Sequence, residues 1–368
     1  MSLSENSKIT VNLAKLTYAG QNGGTQTGKI ASDYELIIKD NEESHDADAF
    51  AYTKFIAHAR FIAYVAQDGD VLTGKIADKY EIIIADGATV TLSKAKVNAI
   101  FCTGDCTIIL AENTLNTVKG DRCSWPGIFV PEGKTLTIDG NGSLNVSGEN
   151  AAGIGAARDT GCGNVVIKNG TIKAVGGQGG AGIGGAYVIS NEKVTYGDVI
   201  IYGGTVSVKG GYLAAGIGTG ANYNSDVSFG SISINGGVVE AKAGLGGAGI
   251  GTGPVGVDSS RPCNGKSFLK SIAISGGSVT AKGSGGAAGI GSGWPYYKDC
   301  STSIESITIT DDVIEVTATR GKTPPGRCCI GVGGTNTPQG TSTVGSITID
   351  GKVTESIEKS SWTYKPKK

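Results

Sequence analysis

Ser231–Gly251 reads SISINGGVVEAKAGLGGAGIG. Its first half is two short runs in which apolar residues alternate with small or polar ones, with a Gly-Gly elbow between them. Alternation at period 2 places one set of side chains inside a strand and the other outside. Its second half, GAGIG, is a compact apolar phrase framed by glycines. Both halves recur along the chain. The glycine phrase appears as AAGIGA at Ala151, GAGIGG at Gly180, AAGIGT at Ala214, GAGIGT at Gly247 and AAGIGS at Ala287, with weaker forms WPGIFV at Trp125 and CCIGVG at Cys328. The alternating phrase appears as TLTIDGNGSLNVSG at Thr135, NVVIKNGTIKAVGG at Asn164 and DVIIYGGTVSVKGG at Asp198, then SIAISGGSVTAKGS at Ser271 and SITITDDVIEVTAT at Ser306.

Each repeat thus carries three short strands and no helical pattern, the signature of a solenoid of stacked parallel sheets. The reading is all-β: a right-handed parallel β-helix with three sheets and about nine coils, roughly 45 Å long at ~4.8 Å per coil. Like residues stack on like, so Ile167, Ile201, Ile234, Ile274, Ile309 and Ile349 are expected to form one interior column. A propeller would need four antiparallel strands per blade, and leucine-rich repeats a fixed Asn or Cys with regular Leu spacing. Residues 64–358 are assigned to the β-helix. Residues 1–63 are assigned to an N-terminal leader and cap, and 359–368 to a tail that closes the other end or hangs loose. Within the cap, Tyr18–Asp40 is echoed by Tyr64–Asp86, offset by 46 residues. Between the copies, the acidic DNEESHDADA at Asp40 is expected to be a solvated loop, and the apolar TKFIAHARFIAY a covering strand or short helix.

Composition agrees. Glycine supplies 61 of 368 residues, about 17% against the usual ~7%, but without the every-third-position rule of collagen. The net charge of −1 draws the chain to neither nucleic acid nor anionic lipid, and no apolar run approaches the ~20 residues of a membrane helix. The opening MSLSEN lacks a signal-peptide apolar stretch, so the expectation is a cytosolic protein or one whose export signal has been removed.

Strand lengths barely vary, whereas the segment after each GAGIG does: ARDTGCG after Gly155, AYVISNEKVTYG after Gly184, TGANYNSDVSFG after Gly218, and longer ones after Gly251 and Gly291. In a stacked solenoid these insertions project from one edge, where binding surfaces commonly form. Tyr187, Tyr196, Tyr223, Trp294, Tyr296 and Tyr297 lie in them. Such side chains present a flat apolar face with a polar rim that suits stacking on sugar rings; the alternative is that they pin long loops to the rod. Trp294-Pro295-Tyr296-Tyr297 is the leading candidate, because Pro restricts the local backbone.

No metal site and no cofactor is expected. Only two histidines occur, His45 and His58, and no CxxC pair does. Of the eight cysteines, Cys162, Cys263 and Cys300 lie in insertions, Cys102 and Cys106 flank the turn Thr-Gly-Asp, and the vicinal Cys328-Cys329 occupies a core position of the glycine phrase. Disulfides and buried thiols both remain open. No catalytic residues are assigned. Glycoside cleavage needs two placed carboxylates, and Asp139, Asp198, Glu240 and the pair Asp311-Asp312 are scattered, the last two facing opposite sides if they lie on a strand.

The phrases AQDGDVLTGKI, VPEGKTLTIDGNGSLNVSG and GAGIGxG with ITIxGGxVxAxGG resemble the Gly-rich repeat surface proteins of gut-dwelling Gram-negative bacteria. These are typically described as carbohydrate-binding-domain-containing or adhesin-like. The resemblance spans about residues 64–350. It implies export to the periplasm or cell surface and a non-catalytic role in binding a glycan or host surface polymer; a polysaccharide hydrolase or lyase on the same scaffold, or a structural stalk, are the alternatives.

Overall fold

A computed structural model describes residues 10–12, 26–29, 35–38, 62–76, 80–120, 124–256, 264–322, 327–334 and 340–367. Strands in the main stack pair in parallel with their counterparts one coil away, so the described chain winds as a parallel β-helix. The SITI strands form one ladder in which Val90, Ile108, Ile138, Ile167, Ile201, Ile234, Ile274, Ile309 and Ile349 are successive partners. All but the terminal Ile349 are fully buried, because a one-residue slip would turn the whole column to solvent. A second ladder stacks Leu144, Ile172, Val206, Val239, Val279 and Val316. The third is the glycine-phrase ladder of ten strands. Its isoleucine column is Ile100, Ile128, Ile154, Ile183, Ile217, Ile250, Ile290 and Ile330, preceded by Ile82. The three columns face one another in a single continuous core.

The first two ladders meet at a gentle bend. In the longest coils one strand, Asp226–Lys242 or Lys266–Lys282, runs through both, with a register irregularity at Asn235 where the elbow falls. The third ladder explains the GIG phrase. Gly251 has φ +140°, a backbone that L side chains rarely adopt, and a β-carbon there would lie 1.7 Å from the carbonyl oxygen of Gly291 in the next coil. Only glycine lets successive coils approach so closely.

The C-terminal end is sealed by a reversal of the chain. At Asp350-Gly351, both with positive φ, the chain makes a two-residue hairpin of the kind favoured by Asp-Gly. From there Lys352–Thr354 runs antiparallel to Thr341–Ile349, Ile357 bridges antiparallel to Ile330, and Ser361–Tyr364 pairs antiparallel with Glu315–Thr319. The last coil is therefore wound backwards across all three ladders, and the tail is part of the fold. Trp362 and Tyr364, stacked with ring planes 4° apart, rest partly buried on the core.

At the other end the two echoing copies differ. In the second, Val71–Lys75 and Tyr80–Ile84 join the parallel stack. In the first, Gln26–Lys29 and Glu35–Ile38 pair antiparallel with each other; Thr10–Asn12, ahead of that copy, pairs parallel with Val71–Thr73. The acidic segment and the apolar segment before Ile62 lie outside the described residues.

Candidate functional site

Over their described residues the insertions after Gly184, Gly218, Gly251 and Gly291 are tied to the stack. Each leaves the glycine phrase through a stacked column in which Val188, Asn222, Val255 and Pro295 bridge one another in parallel. Each returns through a fourth ladder, in which Val194–Tyr196, Val227–Phe229, Leu269, Ile304 and Val344 lie in register. Buried polar groups fix their roots. The Thr219, Thr252 and Ser292 hydroxyls accept hydrogen bonds from the Gly253, Gly293 and Gly333 N–H groups at 2.7, 2.8 and 2.7 Å. Asn222 Nδ2 donates to the Ser225 and Lys266 carbonyls while its Oδ1 accepts the Ser225 N–H. Buried donors and acceptors satisfied in this way lock one conformation.

This wall separates the six candidate aromatics. Tyr196 cannot form a platform: it is only 1% exposed, lies 5.8 Å from the Phe229 ring, and burial raises its phenol pKa far above the ordinary value. Val194 and Tyr196 are two apart on a strand, so both point inward. Tyr187 is partly buried, with the Arg158 guanidinium 5.4 Å from its ring centre. Tyr223 and Tyr297 pack against Val255 and Cys300. These three pin the insertions to the rod.

Trp294 and Tyr296 do come together. Their rings stack with centres 4.4 Å apart and planes 25° apart, and both remain partly exposed. The Trp294 backbone N–H donates to Gly246 and that of Tyr296 to Val255, so the pair stands on a fixed backbone. Burial, and then the neighbouring Tyr212, push the Tyr296 phenol up to about 12. Tyr212 itself is 60% exposed. It lies in the turn after Lys209, outside the insertions, and is near enough for its phenol to raise the pKa of Tyr296.

On the far side of the buried column is an open polar trough of about 480 Å³ lined by Asn191, Lys193, Asn224, Asp226, Asn264 and Lys266. Asn224 Nδ2 donates to Asn191 Oδ1 at 3.0 Å, and the Asn264 N–H donates to Asn224 Oδ1 at 2.8 Å. The remaining amide and charged groups face outward, in a form that suits hydroxyl-rich ligands.

Three of the carboxylates weighed for catalysis have structural partners. Asp139 accepts the Gly140 N–H and Asp198 the Ser231 N–H. The Lys242 ammonium, 2.8 Å from Glu240, and Lys282 beyond it hold that carboxyl below its ordinary value. Asp311 and Asp312 sit exposed in the turn after Ile309. Among the described residues no three of His, Cys, Asp and Glu come together as a metal site would require, and no helix is long and apolar enough to cross a membrane. His45, His58 and Cys263 fall outside the described residues. Cys162 packs in the main core and Cys300 in the small cluster with Val255, while Cys328 and Cys329 are both buried.

Four stretches, residues 165–187, 199–221, 232–254 and 272–294, match a family model described as a beta helix repeat. Each begins in a SITI strand and ends at the column of Tyr187, Ala221, Pro254 and Trp294, so the matched unit is the three-strand coil with the first residues of its insertion, and the rest of each insertion lies outside it. Comparison with curated proteins and with solved structures gave no match. The fold is that of a parallel β-helix, and four of its coils match the β-helix repeat.

Proposed function

We propose that this β-helix is a secreted or cell-surface protein that binds a glycan or a host surface polymer, without catalysis, along the edge that carries its insertions. The observation that carries this reading is the Trp294–Tyr296 stack, partly exposed on a fixed backbone; the exposed Tyr212 is near enough to raise the pKa of the Tyr296 phenol. Rigid aromatic rings offer contact area at low entropic cost and suit the apolar faces of sugars. The trough of Asn, Lys and Asp side chains on the same edge adds donors and acceptors that match ring hydroxyls. Of the original six aromatics, Trp294 and Tyr296 keep the binding role, Tyr212 joins them, and Tyr187, Tyr223 and Tyr297 act as anchors.

A glycan array probed with the full chain tests this, followed by incubation with the bound polysaccharides. Selective binding with no release of reducing ends or unsaturated sugars is the expected result. Product release would establish an enzyme instead, and an array without any selective signal would leave a stalk.

A further inference from the structure

The corner between strands Ile100–Cys102 and Cys106–Leu110 carries a feature the glycan reading does not use. Cys102 and Cys106 flank the turn Thr103-Gly104-Asp105, and their sulfur atoms lie 2.7 Å apart. Unbonded sulfurs do not rest so close, whereas a bonded pair lies at about 2.05 Å. Neighbouring coils hold the corner independently of the sulfurs. The Thr103 N–H donates to the Ile84 carbonyl, the Asp105 N–H to Asp86 Oδ1, and Asp105 Oδ1 accepts the Thr135 N–H. The strands on either side are locked in register with the coil that follows, Ile100 on Ile128 and Cys106 on Leu136. The fold therefore presents the two thiols to each other as a preset pair.

We propose that Cys102 and Cys106 are joined by a disulfide in the mature protein, a covalent staple across one corner of the solenoid. The bond forms by exchange with a disulfide oxidant such as oxidised glutathione. One cysteine thiolate attacks a sulfur of the oxidant and expels a thiolate. The second cysteine, after losing its proton, displaces the remaining oxidant thiolate from the mixed disulfide. The two cysteines lose two protons and two electrons, and the oxidant leaves as two thiols. Both sulfurs are buried in apolar surroundings, so closure takes place while the coil is still assembling. Hydrogen bonding with Cys106, and then burial, hold the Cys102 thiol well above its ordinary pKa. A group of this kind is a poor nucleophile, which suits a structural bond better than a catalytic dithiol.

The test uses the full chain, refolded in a glutathione redox buffer, then unfolded and alkylated without reduction. Trypsin releases Val97–Lys119, a peptide that contains both cysteines and no other. The expected peptide is unalkylated and two hydrogens lighter than the dithiol, and it takes up two alkyl groups only after reduction. The thiol–disulfide equilibrium constant of this pair should also be larger in the folded chain than in urea, by on the order of tenfold or more, because a fold that favours the bond is stabilised by it. Alkylation of both cysteines before reduction would overturn the proposal. So would a bond from either cysteine to one of the other six, or equal constants in the two states.

Discussion

Replacing Gly251 by alanine tests how the coils pack. Gly251 has φ +140°, and the added β-carbon would lie 1.7 Å from the Gly291 carbonyl oxygen. The backbone contribution costs a residue with a side chain about 1–2 kcal/mol. The carbonyl must also retreat by about 1.3 Å to reach the 3.0 Å below which real β-carbons essentially never come. That oxygen accepts the buried Thr252 N–H at 3.2 Å, and stranding such a pair costs about 1–3 kcal/mol. The total is about 2–5 kcal/mol, a large share of a typical ~5–15 kcal/mol. Gly87→Ala is the comparison, since φ there is also positive, at +76°, but nothing lies within 4 Å of the new carbon; it should show the cost of a positive φ without the close approach. Urea unfolding followed by circular dichroism gives both values. Amide exchange should be recorded in parallel, because a solenoid coupled only between neighbours can open locally. Equal losses for the two variants, within ~0.5 kcal/mol, would refute the close-approach argument.

Three further outcomes follow from the same structure. Ile234→Ala removes a fully buried member of the SITI column and should cost about 2–5 kcal/mol in urea melts; a loss below ~0.5 kcal/mol would place Ile234 on the surface. Burial raises the Cys162 thiol from its ordinary 9.0 to about 12, so the folded chain keeps a proton that the unfolded chain sheds. The contribution of Cys162 should then be fully present below pH ~9 and be lost as pH rises toward 12, up to roughly 4 kcal/mol; Cys162→Ala should make the overall loss shallower, the remainder coming from groups such as Tyr196, and an unchanged slope would contradict the assignment. Deleting residues 359–367 uncovers the edge of Glu315–Thr319, and light scattering should then report association; a truncated chain that stays monomeric at high concentration would contradict the capping role.

The interior columns were legible because period 2 and the recurring glycine phrase each fix which residues face inward. Ile128 and Ile330 fell into place even within the degraded phrases WPGIFV and CCIGVG. The column also continues back through Ile100 to Ile82, where the glycines are gone and no phrase marks it. Unequal insertion lengths hid the fourth ladder, although Val194 with Tyr196 and Val227 with Phe229 show the same alternation in miniature. That pattern, applied to the insertions, would have placed Tyr196 inside. The backward-wound cap had a local signal in Asp350-Gly351 between two short strand-like runs. Tyr212 had none: its nearness to the Tyr296 phenol depends on how turns from different coils align, which no single repeat encodes.

The binding claim is tested most directly by titration calorimetry of the glycan selected on the array against wild type, Trp294→Ala and Tyr212→Ala. Each substitution should weaken binding about tenfold, or ~1.4 kcal/mol. Because Tyr212 is 60% exposed, Tyr212→Ala should also melt like the wild type, whereas Trp294→Ala should lose some stability with its stacking partner. Unchanged affinity in both variants would contradict the account and leave the Trp294–Tyr296 pair as one more anchor of the insertions.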